Sequence, residues 1–214
     1  LSSLYGSAAI GGVVQVFTRG AGKPGASVVL EGGQGRHFNG TASASTDLGG
    51  LRLGAAAGTR RSHQFSAIDA ARVIPGPFAP GANADIDGNE NSSGSVGASY
   101  RTAGGVLFAA NAWGSTNRTD FDSTADGPDA THEERSTIQA WNARVRAPLA
   151  GNWESQLQLG EMQDHSRNRS SEAFSFNNGE FESKNRQASW TNEVAVSQLA
   201  KAQLGVEYLQ QRGA

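Results

Sequence analysis

Leu1-Ser2-Ser3-Leu4-Tyr5-Gly6-Ser7-Ala8-Ala9-Ile10-Gly11-Gly12-Val13-Val14-Gln15-Val16-Phe17-Thr18-Arg19 is the stretch around which the rest of this chain is organised. Physically it is a Tyr5-Gly6 turn, a run of small residues, a Gly11-Gly12 pivot and a short apolar strand over residues 13–18. Adjacent glycines reach positive φ and let another backbone come very close. Val13, Val14, Val16 and Phe17 form the β-branched and aromatic run that packs inside a protein. Periodicity alone reads the segment as a turn leading into a core strand.

The bulk numbers narrow the class of the remainder. The 214 residues suffice for one or two domains. With 18 basic and 20 acidic side chains the formal charge is −2, which gives no long-range attraction to nucleic acid. Hydrophobic content of 37% is poor for a chain that fills a large soluble core. No apolar run approaches the ~20 residues a membrane helix needs, so a helical membrane protein is excluded. A transmembrane β-barrel is not, because its strands alternate lipid-facing apolar and lumen-facing polar residues. The absence of cysteine fits an exported bacterial protein and a cytosolic one equally.

After Arg19, residues 20–25 (Gly-Ala-Gly-Lys-Pro-Gly) form a linker by composition. The sequence then predicts nine strands, near 26–35, 38–47, 51–62, 93–102, 105–116, 137–147, 153–165, 187–197 and 202–212. Short turns at 47–50, 102–105, 147–152 and 198–201 alternate with long polar excursions at 62–92, 117–136 and 166–186. That asymmetry is the one outer-membrane barrels show, although some lectin-like soluble sandwiches share it. Face alternation points the same way. Trp153, Leu157 and Leu159 oppose Glu154, Gln156 and Gln158. Trp141, Ala143, Val145 and Ala147 oppose Asn142, Arg144 and Arg146. Ala202, Leu204, Val206 and Tyr208 oppose Gln203, Gly205 and Glu207. Trp153, Tyr100 and Trp190 near strand ends are either interfacial girdle residues or ordinary packing aromatics.

No catalytic set emerges. His37, His63, His132 and His165 lack metal-ligand spacing, no Gly-x-Ser-x-Gly elbow exists, and Gly32-Gly33-Gln34-Gly35 opens no helix. The loops are richer. The first long excursion carries Asp69, Asn83, Asp85 and Asp87. The second carries Asp120, Phe121 and Asp122, then Asp126, Asp129 and Glu133. Hard oxygen donors at alternate positions, with Gly88 for a bend, are what Ca²⁺ takes, but the spacing is not that of an EF-hand. A solvated acidic loop is the competing reading. The third excursion, which includes Phe174, Phe176, Asn178, Gly179 and Phe181, is aromatic and amide-rich. Such a surface suits a large, flat, amide-fringed ligand, and a loop without ligand contact is the alternative.

Tyr5, Gly6 and Ser7, then Gly11 and Gly12 with Val13-Val14, then Thr18-Arg19, closely resemble the end of the plug domain in TonB-dependent outer-membrane receptors. Ala8 replaces a commonly acidic residue there, and Gln15 a commonly amide or apolar one. The resemblance implies an all-β chain: the C-terminal end of a plug over 1–19, a linker over 20–25, and over 26–214 the first part of an antiparallel transmembrane barrel. The large plugged barrels of this class have 22 strands, so about nine would be somewhat under half the wall. The signal peptide, the TonB-contacting segment and most of the plug would then lie outside this chain.

The run from the first strand through the acidic loops resembles the cobalamin (vitamin B12) transporter branch of that family. The resemblance implies that the loops after the third and fifth strands fold together around paired calcium ions. Asp69, Asn83, Asp85 and Asp87 fall on the first ligand group, and Asp122 on the second loop's shared carboxylate. Phe121 stands where Tyr is common, a backbone-carbonyl donor being unaffected, and Glu133 replaces another acid. By the same resemblance the third loop, with Phe176, Asn178, Gly179 and Phe181, touches the corrin ligand. The implied partners are cobalamin, TonB and outer-membrane lipid, and no covalent chemistry is called for. A ferric siderophore or other chelate is the alternative cargo, and a structural or adhesive β-protein the alternative class.

Overall fold

The computed structural model describes residues 24–66, 68–77, 81, 83, 85–197 and 200–214. The Tyr5-Gly6-Ser7 and Gly11-Gly12 segment expected to end a plug lies outside these residues. The described chain is a single antiparallel sheet of nine strands: β1 (Gly25–Gly33), β2 (His37–Leu48), β3 (Leu51–Phe65), β4 (Asp87–Arg101), β5 (Leu107–Phe121), β6 (His132–Ala150), β7 (Trp153–Ser170), β8 (Gly179–Ala195) and β9 (Lys201–Gly213). Each strand pairs only with its neighbours in sequence, and a one-turn 3₁₀ helix, Ala70–Arg72, is the only helical element among the described residues. No helix among the described residues is long and apolar enough to cross a membrane, which leaves strand-crossing open.

All nine expected strands are present, with β1 beginning at Gly25, inside the expected linker. Several strands are longer than expected. β4 starts six residues before the expected position, at Asp87, and β8 starts eight before it, at Gly179. The excursions shrink accordingly to residues 66–86, 122–131 and 171–178. The reason is visible in the pairings. Polar stretches with no membrane-strand signature, such as 87–92 and 132–136, find antiparallel partners in equally polar stretches (Asn91↔Asn117, Ser136↔Ser166). Backbone pairing does not require an apolar face.

The register sorts the side chains into two faces. Residues paired across strands share a face. One such row runs Leu53↔Ala98↔Ala110↔Ala143↔Leu159↔Ala188↔Tyr208. Following this parity, residues 26–32, 38–48, 51–57, 94–100, 108–114, 139–147, 153–159, 188–194 and 202–208 place no charged side chain on that face. Over the same lengths the opposite face carries Glu31, Asp47, Arg52, Arg144, Arg146, Glu154, Glu193 and Glu207. It also carries cross-strand polar contacts, including Asn111 Nδ2 to Asn142 Oδ1 at 3.3 Å, Asn91 to Ser115 at 2.9 Å, and the Arg146–Glu154 pair.

Among the described residues no second layer lies against the apolar face. Val28, Leu30, Val96, Leu157, Leu159, Val206 and Tyr208 are all exposed, and Ala130 is the only buried hydrophobic residue among those described. Leaving such a side chain in water costs roughly 1.5–3 kcal/mol, so a face of this size must be covered by something.

The connections fall at two ends. At one end lie Gly49-Gly50, residues 102–106, Gly151-Asn152 and, between β8 and β9, residues 196, 197 and 200. At the other lie the three longer loops and the short β1–β2 turn. Gly49 and Gly50, with φ of 62° and 95°, make a two-residue hairpin with positive φ at both positions, which side-chain-bearing residues resist. Near the short-turn end the uncharged face bears Tyr100, Phe108, Trp153 and Trp190. The Trp153 indole N–H donates to Asn192 Oδ1 at 3.0 Å and that of Trp190 to Ser155 Oγ at 2.9 Å.

Candidate metal centre and long loops

The acidic residues meet because β4 begins where β5 ends. Asn89 pairs with Thr119, so continuing the antiparallel register brings Asp87 level with Phe121 and close to Asp122. Asp85, Asp87 and Asp122 each present a carboxylate oxygen, and these oxygens lie within 4.8 Å of one another. Asp85 is exposed, while Asp87 and Asp122 are half-buried. Two residues just past the end of β3 bond to one of these carboxylates. Asp122 Oδ2 accepts the Ser66 hydroxyl at 2.7 Å and the Ile68 backbone N–H at 3.0 Å. Gly88 sits beside this group, and a Cβ there would stand 2.8 Å from the His63 ring and 2.9 Å from Asp120 Oδ2.

Three anionic oxygens this close repel one another, and a cation placed among them removes that cost. The donors are hard oxygens, with no sulfur or imidazole in the group, a set that suits Ca²⁺ or Mg²⁺ rather than Zn²⁺. Residues present therefore fit a hard divalent ion. Ca²⁺, at 6–8 ligands, would draw on both oxygens of some carboxylates, on backbone carbonyls and on water.

Other residues expected to join this centre are placed differently. Asp69 is not one of the group. It ends the turn before the 3₁₀ helix, accepts the Ala71 N–H at 3.2 Å, and pairs with Arg72 at 3.1 Å. Asn83 donates to the Ala130 carbonyl at 3.4 Å, which ties the first loop to the second. Glu133 lies within β6 and is paired with Arg118 Nε at 2.6 Å and with Arg135. Asp120, which faces Arg118 at 3.8 Å, lies on the same face as Glu133. Phe121 ends β5 and its ring packs 5.3 Å from that of His132.

A second carboxylate organises the loops, and its acidity alone did not reveal it. Asp126 is almost fully buried, with 7% of its side chain exposed. Its Oδ2 accepts from His132 Nε2 at 2.7 Å, Ser170 Oγ at 3.0 Å, Asn177 Nδ2 at 3.0 Å and the Ser175 hydroxyl. The Ser175 hydrogen bond is the largest cause holding the Asp126 carboxyl far below its ordinary 3.8. Burial opposes it, and the bonds from His132, Asn177 and Ser170 add to it.

The third loop is fastened through these partners. Ser171 N–H donates to the Thr131 carbonyl at 2.9 Å, and Asn177 Nδ2 also reaches Ser123 Oγ at 2.9 Å. Asn178 is used internally: its Oδ1 accepts the Ser170 N–H at 2.7 Å and its Nδ2 donates to the Glu172 carbonyl at 2.9 Å. Gly179 and Phe181 belong to β8, while Phe174 and Phe176 stand out completely from the loop, 100% and 99% exposed. His132, Ser170 and Ser175 carried no signal in the sequence, since isolated serines and a single histidine in polar loops match no motif. No protein-family model and no curated protein matches this chain.

Proposed function

We propose that this chain is part of a TonB-dependent outer-membrane receptor of the cobalamin type, with residues 26–214 forming a portion of its barrel wall. The observation that carries the reading is the sheet's two-faced register. One face is free of charge over a continuous band, and the other carries all the charged side chains of that band and most of its hydrogen-bonding ones. A bilayer covers the first and a wet or plug-filled lumen the second. Strands of 15–19 residues, such as β3 to β8, exceed the 9–11 a tilted membrane strand needs, so their upper ends and loops stand outside the lipid. On the uncharged face this upper part begins at Glu161, Lys184 and Arg186, whose ion pairs of 3.0 Å and 2.7 Å belong in water or headgroups.

β1 and β9 are not paired with each other among the described residues. In lipid both edges need partners, which in this proposal further strands of the receptor supply. Residues 1–19 would end the plug within the lumen, and energy delivered through TonB would rearrange that plug. A hard cation at Asp85, Asp87 and Asp122 would pin the first loop to the second. Pre-ordering loops in this way lowers the entropy cost of capturing cargo.

The test is a titration of the full-length receptor with cyanocobalamin and with ferric siderophores, with and without a calcium chelator. Calcium-dependent cyanocobalamin binding is the expected result. Binding of a ferric chelate alone would move the cargo to that class, and binding of neither would remove the transport reading.

A further inference from the structure

We propose that Asp126 is the positioning residue of a latch that fastens the third outer loop, 171–178, to the second, 122–131. Its partners are drawn from separate parts of the chain: His132 from the start of β6, Ser170 from the end of β7, and Ser175 and Asn177 from the third loop. All of them bond to one oxygen, Oδ2. Removing that oxygen therefore undoes four contacts together and leaves the buried His132 Nε2 and three half-buried donors without this acceptor. Backbone bonds around the loop, Ser175 N–H to the Glu172 carbonyl and Asn178 N–H to the Ser175 carbonyl, both 3.2 Å, close it into a compact unit.

A loop anchored this firmly usually turns its apolar side chains inward. Here Phe174 and Phe176 point fully into solvent from an anchored frame. Anchoring spares a ligand the cost of ordering the loop when it covers these rings. The latch thus sets how the aromatic pair is presented, a role in capture that rests on the receptor reading. The latch itself is independent of the cargo. It is also distinct from the Asp85, Asp87 and Asp122 group, since Asp126 belongs to no such cluster.

Hydrogen exchange of the cation-free full-length protein, with Asp126→Ala and Asp126→Asn beside the wild type, decides the matter. In Asp126→Ala the amides of Ser171, Ser175 and Asn178 should exchange about tenfold faster or more, while the β6–β7 ladder around Gln139 and Gln163 keeps its protection. Asp126→Asn keeps one acceptor oxygen and should fall between the two. Unchanged loop exchange, acceleration shared equally by the ladder, or an asparagine variant indistinguishable from alanine would each overturn the latch. In parallel, cyanocobalamin affinity should drop about tenfold in Asp126→Ala. Unchanged affinity would overturn the presentation role, whereas failure of the wild type to bind would sink the cargo reading and leave the exchange result standing.

Discussion

Asp122 accepts the hydroxyl of Ser66 at 2.7 Å across 56 residues of sequence, and this contact joins the end of β5 to the loop leaving β3. It orients one carboxylate of the acidic group from outside that group, as a supporting hydrogen bond does for a metal ligand. Ser66 Oγ also lies 2.7 Å from the Ile68 carbonyl, so its single proton is shared between two acceptors.

Asp122→Asn should weaken Ca²⁺ binding by at least about tenfold, roughly 1.4 kcal/mol, measured by calorimetric titration of the full-length protein. Asp69→Asn, whose carboxylate faces Arg72 instead, should change it by less than about twofold. Equal effects from the two would refute the assignment of the three carboxylates.

Gly88→Ala should destabilise the protein by about 1–3 kcal/mol, because the added methyl meets the His63 ring and the Asp120 carboxylate at under 3 Å. Gly49→Ala meets nothing within 4 Å but must adopt a φ of 62°, so its cost comes from the backbone instead. Denaturant unfolding in a lipid bilayer reads both. A neutral Gly88→Ala would show that the β3–β4 junction yields.

Leu157→Arg should cost about 2–4 kcal/mol of folding free energy in a bilayer, since Leu157 lies within the band on the uncharged face and four residues from Glu161. Gln158→Arg, on the polar face beside Arg144, should cost less than about 1 kcal/mol. Equal penalties would contradict the assignment of faces.

The sign of the Asp126 shift fixes a pH window. Its folded carboxyl lies below the ordinary 3.8, so the stability it contributes is complete above that value and lost as pH falls through it toward the folded pKa. The difference in loop protection between wild type and Asp126→Asn should therefore stay constant from neutral pH to about pH 5 and shrink below pH 4. A difference that vanished already at pH 6 would contradict the latch's charge.

The strands and their faces were legible in the sequence because successive side chains of a strand point to opposite faces, so a sheet with one uncharged face shows a period of two. Trp153, Leu157 and Leu159 against Glu154, Gln156 and Gln158 needed no partner to be read, and the pairings place them on opposite faces. The upper ends of β4, β6 and β8 were not legible. Both faces are polar there, so residues such as Asn89, Asn91 and Ser136 carry no alternation while still pairing. Asp85, Asp87 and Asp122 could be named from acidity and resemblance, and the register from Asn89↔Thr119 shows why they meet. The Asp126 partners could not, because Ser170, Ser175 and Asn177 act only through a fold that brings three stretches to one oxygen.

The claim on which all else rests is that the uncharged face of this sheet lies against lipid. Spin labels placed in turn at Leu157, Gln158, Leu159, Val206, Glu207 and Tyr208 of the full-length protein in bilayers, with collisional access to oxygen and to a water-soluble relaxer, measure it directly. The account predicts high oxygen access at Leu157, Leu159, Val206 and Tyr208 and water-side access at Gln158 and Glu207. The same environment at all six positions, or the reverse alternation, would contradict it.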